Sequence, residues 1–376
     1  MNLKSKKTIL ITGSNGFIGK NFEMRLREID SIEIFTFNRE NDKSELFELI
    51  SKCSAVFHFA AVNRPKDNLF DEENYEFTKI ICDQIIKVQD KFNNLIPIHF
   101  TSSSQAILDN PYGKSKLKAE NYIKYISKES NLKAFIYRLP GVFGKGCKPN
   151  YNSVIATFCN NIPRNIPVKL NNPKKMFDLI YIDDLLEIFL KNMQIQIKNI
   201  TYPKLDPIYK SNVKEIYNLI KSFNKNKIQV DKVGNGFKRA LYATFLSYLP
   251  KEKFSYLLDK FSDQRGVFSE FIKTENNGQV SFFSINVGFS RGGHYHNTKN
   301  EKFLLIKGRV EFNFLNIFTK EKYSINIGEK ENKVIESIPG WAHNIKNIGD
   351  CEAFVILWSN EIFDKERPDT FNYFIN

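Results

Sequence analysis

The chain has 376 residues, which allows about two domains with sizeable cores. With 42% apolar and 26% charged residues it is not a mostly disordered chain, and no apolar run approaches the ~18 residues of a membrane helix. The net charge of +13 comes entirely from residues 1–250, with 38 basic and 25 acidic side chains, because residues 251–376 hold 17 of each. In chain order, the first half alternates strands and helices. Thr8–Thr12 reads as a strand and Gly19–Arg27 as a helix with Phe22 and Leu26 four apart. Ile32–Phe37 and Ala55–Phe59 read as strands, Thr78–Lys87 as a helix, Ile96–Thr101 as a strand, Lys114–Ser127 as a helix and Ala134–Arg138 as a strand. Such alternation predicts βαβ units around a parallel sheet. From about Phe261 the punctuation changes to short strands between Gly, Asn and Pro turns. They lie at Val280–Val287, Lys302–Ile306, Val310–Leu315, Lys322–Ile327, Lys333–Ile338 and Ala353–Trp358. That spacing predicts an all-β barrel or sandwich. The division falls near Pro250, giving domains of 1–250 and 251–376.

A basic first half suits an anionic partner: a nucleic acid, a membrane surface or a phosphorylated small molecule. The alternative is a lysine-rich solvated surface. No dense Lys/Arg cluster is interleaved with aromatics, which makes nucleic acid the weakest of the three. The expected partner is a small molecule, with neither nucleic acid nor membrane. Five cysteines are an odd number without CxxC spacing, which fits a reducing compartment. Thr8–Ile11 runs straight into a glycine loop with no signal-peptide pattern, so the expectation is a cytoplasmic protein.

Gly13-Ser-Asn15-Gly16-Phe17-Ile18-Gly19 follows the first strand and opens the first helix. The glycines permit a tight turn, close approach of backbone to a pyrophosphate, and helix–sheet packing. The helix N-terminus then faces the phosphates. These residues are the predicted dinucleotide site. The second strand ends at Phe37-Asn38-Arg39, where an acid would hold a ribose 2′-hydroxyl. Arg39 suits a 2′-phosphate instead and favours NADPH, unless it is a solvated surface arginine. His58-Phe59-Ala60-Ala61 closes the third strand, and His58 reads as a packed core histidine.

Tyr112-Gly-Lys-Ser-Lys116 puts a tyrosine and a lysine on one helix face, after the hydroxyl-rich strand end Thr101-Ser102-Ser103-Ser104. A hydride reaching a carbonyl creates an alkoxide. A positioned phenol protonates it, and a nearby ammonium lowers the phenol's pKa. Together with the GxxGxxG loop, these segments resemble the extended short-chain dehydrogenase/reductases, which act largely on nucleotide sugars. The resemblance implies that Phe59, Ala60 and Ala61 line the cofactor, and that Tyr112 and Lys116 are catalytic and also reach it. One serine, Ser104 first and Ser103 second, would bond the substrate carbonyl. Arg138-Leu-Pro-Gly-Val-Phe-Gly144 and Tyr181-Ile-Asp-Asp184 resemble further segments of that family. In the segment that follows Gly144, Lys145, Lys148 and Asn152 are candidates for the substrate diphosphate, against a solvated loop.

The second half carries His294-Tyr-His296, then Glu301 and Gly308, and later Pro339-Gly-Trp-Ala-His343. Residues i and i+2 of a strand share a face, so both histidines look into the barrel. Three imidazoles and a carboxylate suit Zn, Ni, Mn or Fe(II), with zinc expected first. An apo barrel with a polar interior is the alternative. These segments resemble the two cupin motifs, with His294, His296, Glu301 and His343 as the implied metal ligands. Phe261-Ser-Asp-Gln-Arg265-Gly-Val-Phe-Ser-Glu270 and Arg291-Gly-Gly-His294 also resemble the metal-free dTDP-4-keto-6-deoxyhexose epimerases. In that family the matching histidine is a proton-transfer base, so His294 has two possible roles. Lys302 and Glu270 are further candidates for proton handling.

The whole chain, through stretches such as His58–Pro65, Lys148–Cys159 and Thr298–Phe303, resembles the CapF-type family of bifunctional UDP-2-acetamido-2,6-dideoxy-hexulose reductase/C3-epimerases. That resemblance implies a Rossmann-type α/β domain followed by an all-β cupin jelly roll. It implies NADPH, a divalent metal, a UDP-sugar substrate and a homodimer, with Asn63, Arg64 and Arg265 as further substrate contacts. The implied product is a UDP-N-acetyl-6-deoxy-talosamine-type sugar, on the route to UDP-N-acetyl-L-fucosamine for capsule or surface polysaccharide. A 4-keto group acidifies the C3 proton, so inversion at C3 has to precede reduction at C4. Two other readings stay open: a reductase whose cupin only holds metal structurally, and a non-catalytic sugar-binding regulator.

Overall fold

The computed structural model describes residues 6–375 except 63–69, 226, 229–231, 259–260, 264–265, 269–277 and 362–365. Backbone packing divides the chain into two units, one of Met1–Val142 and Asp178–Tyr209, the other of Phe143–Phe177 and Lys210–Asn376. The chain begins β1 (Lys7–Thr12), α1 (Phe17–Arg27), β2 (Ile32–Phe37), α2 (Leu46–Ser51), β3 (Ala55–His58), α3 (Phe77–Phe92), β4 (Ile98–Ser103), α4 (Pro111–Ser130) and β5 (Ala134–Leu139). It continues through β6 (Gly141–Phe143), α5 (Val154–Asn161), β7 (Met176–Tyr181), α6 (Ile182–Asn192), β8 (Ile200–Thr201), β9 (Tyr209–Asn212), α7 (Val213–Lys225) and α8 (Gly236–Ser247).

The first unit is built on a six-stranded parallel sheet in the order β2-β1-β3-β4-β5-β8. Its strands send alternate side chains into two helical layers. Leu10, Val56, Ile98, Phe100 and Ile136 share one core with Ile81, Ile85 and Val88 of α3 and Ala119 and Ile123 of α4. The intervening residues face the other layer. There Phe57, His99 and Phe135 stack with centroids 4.1 and 4.4 Å apart, and Phe22 of α1 and Phe189 of α6 pack on Phe57. His99 is thus a core residue, and burial pushes its imidazole down to about 3. Phe22 also meets Phe59. Phe22→Ala should therefore destabilise this unit by about 3–5 kcal/mol, the scale of a lost core aromatic. Urea unfolding reads the loss, and a change below ~1 kcal/mol would show that the layer collapses onto the gap. The strand order turns back between β1 and β3. Gly13 and Phe59, at their carboxyl ends, therefore border the crevice where doubly wound sheets bind ligands.

In the second unit α5, α7 and α8 accompany β10 (Ser255–Leu257), β11 (Phe261–Asp263), β12 (Gly266–Phe268), β13 (Gln279–Ile285), β14 (Ser290–Tyr295) and β15 (Glu301–Lys307). After these come β16 (Arg309–Asn316), β17 (Lys322–Gly328), β18 (Lys333–Glu336), β19 (Trp341–Asn347), β20 (Ala353–Ser359) and β21 (Phe371–Asn372). Two antiparallel five-stranded sheets result, β10-β18-β15-β20-β13 and β17-β16-β19-β14-β21. Phe303 of the first sheet packs on Phe312 of the second, 5.5 Å between centroids. This is the double-sheet jelly roll expected of a cupin. Six of its strands follow the predicted positions. His294 and His343 lie on strands, as the spacing of the histidine motif implies, but apolar alternation gives these two strands no range, because Ser-Arg-Gly-Gly-His-Tyr and Trp-Ala-His-Asn-Ile-Lys-Asn have none that is clear. Among the described residues no helix is long and apolar enough to cross a membrane.

Candidate active site and metal centre

The glycine loop is held by contacts that a side chain would destroy. Gly13 has φ +71°, and a Cβ there would lie 2.7 Å from the Ala60 backbone. A Cβ on Gly19 would lie 2.3 Å from the Gly13 carbonyl. Gly16 precedes α1 with no side-chain cap, so the first N–H groups of the helix are open to a ligand. Asn38, at the end of β2, holds the loop: its Oδ1 accepts from Asn15 N at 3.1 Å and its Nδ2 donates to Ser14 Oγ at 2.9 Å. These residues border a cavity of about 480 Å³ with Phe59, Ala60, Ala61, Arg39 and Glu73 on its wall. Phe17 and Ile18 open α1 half-buried. Arg39 donates to Glu73 Oε2 at 2.6 Å, an ion pair in which Arg39 is exposed and Glu73 partly so. Asn38 and Glu73 had no sequence signal, since neither belongs to the glycine pattern. His58 is sealed below the loop, bonded to Thr12 at 2.6 Å and Thr78 at 3.0 Å, and burial then Lys116 push it down to about 3.

The tyrosine and lysine are set by the start of α4. Asn110 caps it by accepting from Gly113 N at 2.8 Å, and Pro111 takes the first turn. Gly113 cannot be larger, because a Cβ there would lie 2.2 Å from the Gln105 carbonyl. Tyr112 is half-buried and burial raises its pKa, with a hydrogen bond to the Ser103 hydroxyl opposing part of that rise. Lys116, four residues on, is fully buried. Its Nζ donates to the Thr101 carbonyl at 2.9 Å, and burial lowers it to about 7 against the pull of Glu120. Glu120 continues the same face. It accepts from Ser102 Oγ at 2.5 Å and from Arg138 Nε and Nη2 at 2.9 and 2.7 Å. Burial would raise its carboxyl, but Arg138 and Ser102 hold it below the usual range. One carboxylate thus ties β4, α4 and β5 together directly beneath the tyrosine–lysine pair.

In the second unit His294, His296, Glu301 and His343 bring one ligand atom each within 4.8 Å of one another. Glu301 Oε2 is 3.1 Å from His296 Nε2 and 3.4 Å from His343 Nε2. His296 Nδ1 donates to the Asp369 carbonyl at 2.6 Å, which leaves Nε2 directed at the cluster. Burial would lower His296, yet Glu301 raises it. Glu301 itself, although buried, is held well below the ordinary carboxylate range by His296 and His343. Burial, then His343 and His296, lower His294 to about 3. His294 is half-buried, while the other three are buried. Three imidazoles and one carboxylate with one half-open ligand fit a divalent transition metal. Gly292 (φ +97°) and Gly293 (φ +77°) form a bulge that sets His294 opposite His343 in the β14–β19 ladder.

Residues 9–202 match the NAD dependent epimerase/dehydratase family, and residues 261–371 match the polysaccharide biosynthesis C-terminal domain. Over 366 residues the chain is 42% identical to the UDP-2-acetamido-2,6-beta-L-arabino-hexul-4-ose reductase of Pseudomonas aeruginosa, covering 96% of this chain and 97% of that one. The chain belongs to the CapF-type reductase family. The crystal structure of the capsular polysaccharide assembling protein CapF from Staphylococcus aureus superposes with a TM-score of 0.64 at 36% identity, over 98% of this chain and 100% of that one. The UDP-glucose 4-epimerase of Thermotoga maritima, at 20% identity, TM-score 0.51 and coverage of 58% and 82%, shares the fold.

Within this CapF-type chain some expected residues sit elsewhere than the motifs suggest. Ser103, not Ser104, meets Tyr112: Ser103 ends β4 buried, whereas Ser104 begins the following turn and is exposed. Lys302 lies on the face of β15 opposite Glu301, because neighbours on a strand point to opposite sides. Its amine pairs with Glu336 and reaches Tyr256 Oη at 3.1 Å, on the face away from the histidine–glutamate cluster. Lys148 and Asn152 are exposed, and Lys148 rests over the Tyr151 ring at 5.3 Å. Lys145 is buried. Asn63, Arg64, Arg265 and Glu270 lie outside the described residues.

Proposed function

We propose that this chain is a nucleotide-sugar reductase of surface-polysaccharide biosynthesis that uses NADPH to reduce the 4-keto group of a UDP-2-acetamido-2,6-dideoxy-hexulose, after inversion of C3 in its barrel. The observation that carries the reading is the Tyr112–Ser103 pair with buried Lys116, in a chain alike over nearly its whole length to a UDP-hexulose reductase. When bound, the nicotinamide supplies the hydride that adds to C4. The residues of this chain do the rest. Ser103 donates a hydrogen bond to the ketone oxygen. Tyr112, kept protonated by its burial, gives that oxygen its proton as the negative charge develops, and the phenolate is re-protonated from solvent. Glu120 keeps Ser102 and Arg138 in place beneath the pair. We assign the reduction to residues 1–250 and the inversion to 251–376.

For the inversion, a bound divalent metal would act as a Lewis acid toward the ketone, the role such donor sets support. His294 has two mutually exclusive roles in this step, because a nitrogen bound to the metal cannot accept a proton: it is either the fourth ligand or the base that takes the C3 proton to give the enolate, and return of a proton to the other face inverts the centre. The buried amine of Lys302, engaged by Glu336 and Tyr256 on the other face of its strand, favours a second reading, in which the barrel holds its metal structurally. Incubation of the UDP-4-keto sugar with enzyme and NADPH in D₂O, followed by NMR of the product, decides. NADP⁺ formation with deuterium at C3 is expected. Reduction without C3 deuterium supports the structural barrel, and no NADPH consumption overturns the reductase.

The cofactor choice has its own test. With Arg39 facing the 2′-phosphate, NADPH should bind more tightly than NADH, and Arg39→Ala should weaken NADPH binding alone by about 1–3 kcal/mol, the scale of a charge-assisted hydrogen bond. Glu73 competes for the same guanidinium, so Glu73→Gln should strengthen NADPH binding. Fluorescence titration measures both, and equal wild-type affinity for the two cofactors would sink the assignment.

A further inference from the structure

The four residues between the ligands His296 and Glu301 are held by a residue about seventy positions away. Asp369 accepts Asn297 N at 3.0 Å on Oδ1, and Thr298 N at 2.9 Å and Lys299 N at 2.7 Å on Oδ2. Thr298 Oγ1 donates to the same Oδ2 at 3.1 Å. Successive backbone N–H groups that converge in this way form an anion nest, here filled by the chain's own carboxylate. The backbone of the same residue acts on a ligand directly, because the Asp369 carbonyl accepts His296 Nδ1 at 2.6 Å. Both tasks fall on one residue at φ +40°, a conformation that L-residues adopt only when their surroundings demand it.

Its neighbours complete the hold. Lys299 Nζ donates to the Pro368 carbonyl and to Thr370 Oγ1, both at 2.7 Å. Phe371 and Asn372 pair with Tyr295 and His294 in the ladder, and Tyr373 N donates to the Gly293 carbonyl at 2.7 Å. Residues 368–373 therefore engage the chain from Gly293 to Lys299 and reach both histidines of the His-Tyr-His segment. The remaining amides of the loop are satisfied separately, Asn300 N by Asn360 Oδ1 and Glu301 N by Ser337 Oγ.

We propose that Asp369 is the positioning residue of the metal centre: its carboxylate sets the 297–299 loop and its carbonyl orients His296, so that the C-terminal segment decides how tightly the four ligands hold a metal. This rests on the reading of the cluster as a metal site. A second-sphere partner of this kind contributes about 10–100-fold to metal affinity. The loop between two ligands is short, so its three converging amides repel one another once the carboxylate is removed, and His296 loses the geometry that aims Nε2.

The test uses the full chain, stripped with a chelator and titrated with Zn(II) against a chromophoric competitor, and with Co(II) by visible absorption. Wild type should bind one equivalent and show the intense bands of a low-coordinate Co(II) site. Absence of binding overturns the metal reading itself. Asp369→Ala should bind about 10–100-fold more weakly with a shifted, weaker Co(II) spectrum. Asp369→Asn, which keeps the shape and one acceptor but loses the charge, should lie between. Thr298→Val, which removes one of the four side-chain-directed bonds, should change little. A folded Asp369→Ala with wild-type affinity and Co(II) spectrum overturns the proposal, because a purely structural role would move only the unfolding temperature. Should Asp369→Ala fail to fold, Asp369→Asn carries the decision, and wild-type affinity in that variant is the overturning result.

Discussion

Tyr112→Phe should slow NADPH oxidation by a factor of ~10² or more, the scale of a lost general acid, while C3 deuterium exchange persists. The substitution removes one oxygen and leaves the ring where it was, so substrate and cofactor binding should change little. The lost oxygen is the one hydrogen-bonded to Ser103 and proposed to protonate the ketone oxygen. Ser103→Ala should reproduce part of the loss, whereas Ser104→Ala, at an exposed position, should be nearly silent. The exchange reaction needs a ketone and a base but no hydride. The informative comparison is therefore the ratio of the two activities in one variant. Tyr112→Phe that bound substrate yet lost C3 exchange would join both steps to a single site and contradict the division proposed here. His294→Ala is the complementary case and should lose exchange while still reducing a pre-inverted sugar. Full-length variants are the right material, because residues 143–177 and 210–250 pack in the same unit as the barrel.

Glu301→Ala should empty the metal centre. The carboxylate is the one anionic ligand and lies within 3.4 Å of two of the three imidazoles. Its removal leaves only neutral donors, and affinity should fall by at least ~10²-fold, beyond the range seen for second-sphere losses. Elemental analysis of protein purified without chelator should fall from about one equivalent per chain to near zero, with a lower unfolding temperature. A wild-type content near zero would count against the site from the outset. The pH dependence has a definite sign. Ligand imidazoles must be neutral. Glu301 pulls all three upward, but only His296 is raised on balance, whereas burial leaves His294 and His343 lowered. Protons therefore compete for His296 first as the pH falls. Metal, and the stability it lends, should be retained at about pH 8 and lost progressively below neutrality. Dialysis over a pH series followed by metal analysis reads this directly, and retention down to about pH 4 would contradict the ligand set.

Several features of the protein follow from residues close together in the chain, and these were legible before any coordinates. The glycine loop needs only a strand, a turn and a helix start, all within Lys7–Arg27. Tyr112 and Lys116 share a face because one helical turn separates them, and His294 and His296 converge because two strand positions do. The change from strand–helix alternation to short strands marked two architectures, because the period of burial differs between them.

What the sequence left undecided depended on partners far along the chain. Whether Ser103 or Ser104 meets the phenol is set by where β4 stops and turns, a one-residue question that sends neighbouring side chains in opposite directions. The same alternation turned Lys302 away from the metal cluster toward Glu336, thirty-four residues on, a pairing that strand register alone creates. Glu120 gained its importance from Ser102 and Arg138 on two other strands. Asp369 carried no motif at all. Its task exists only because β21 lies beside β14, which brings a lone aspartate to the amides of a loop between two ligands. Local spacing could name the groups that do chemistry, because they need neighbours within a turn. The groups that hold them in place are found by sheet register and packing between distant segments, which only the folded chain decides.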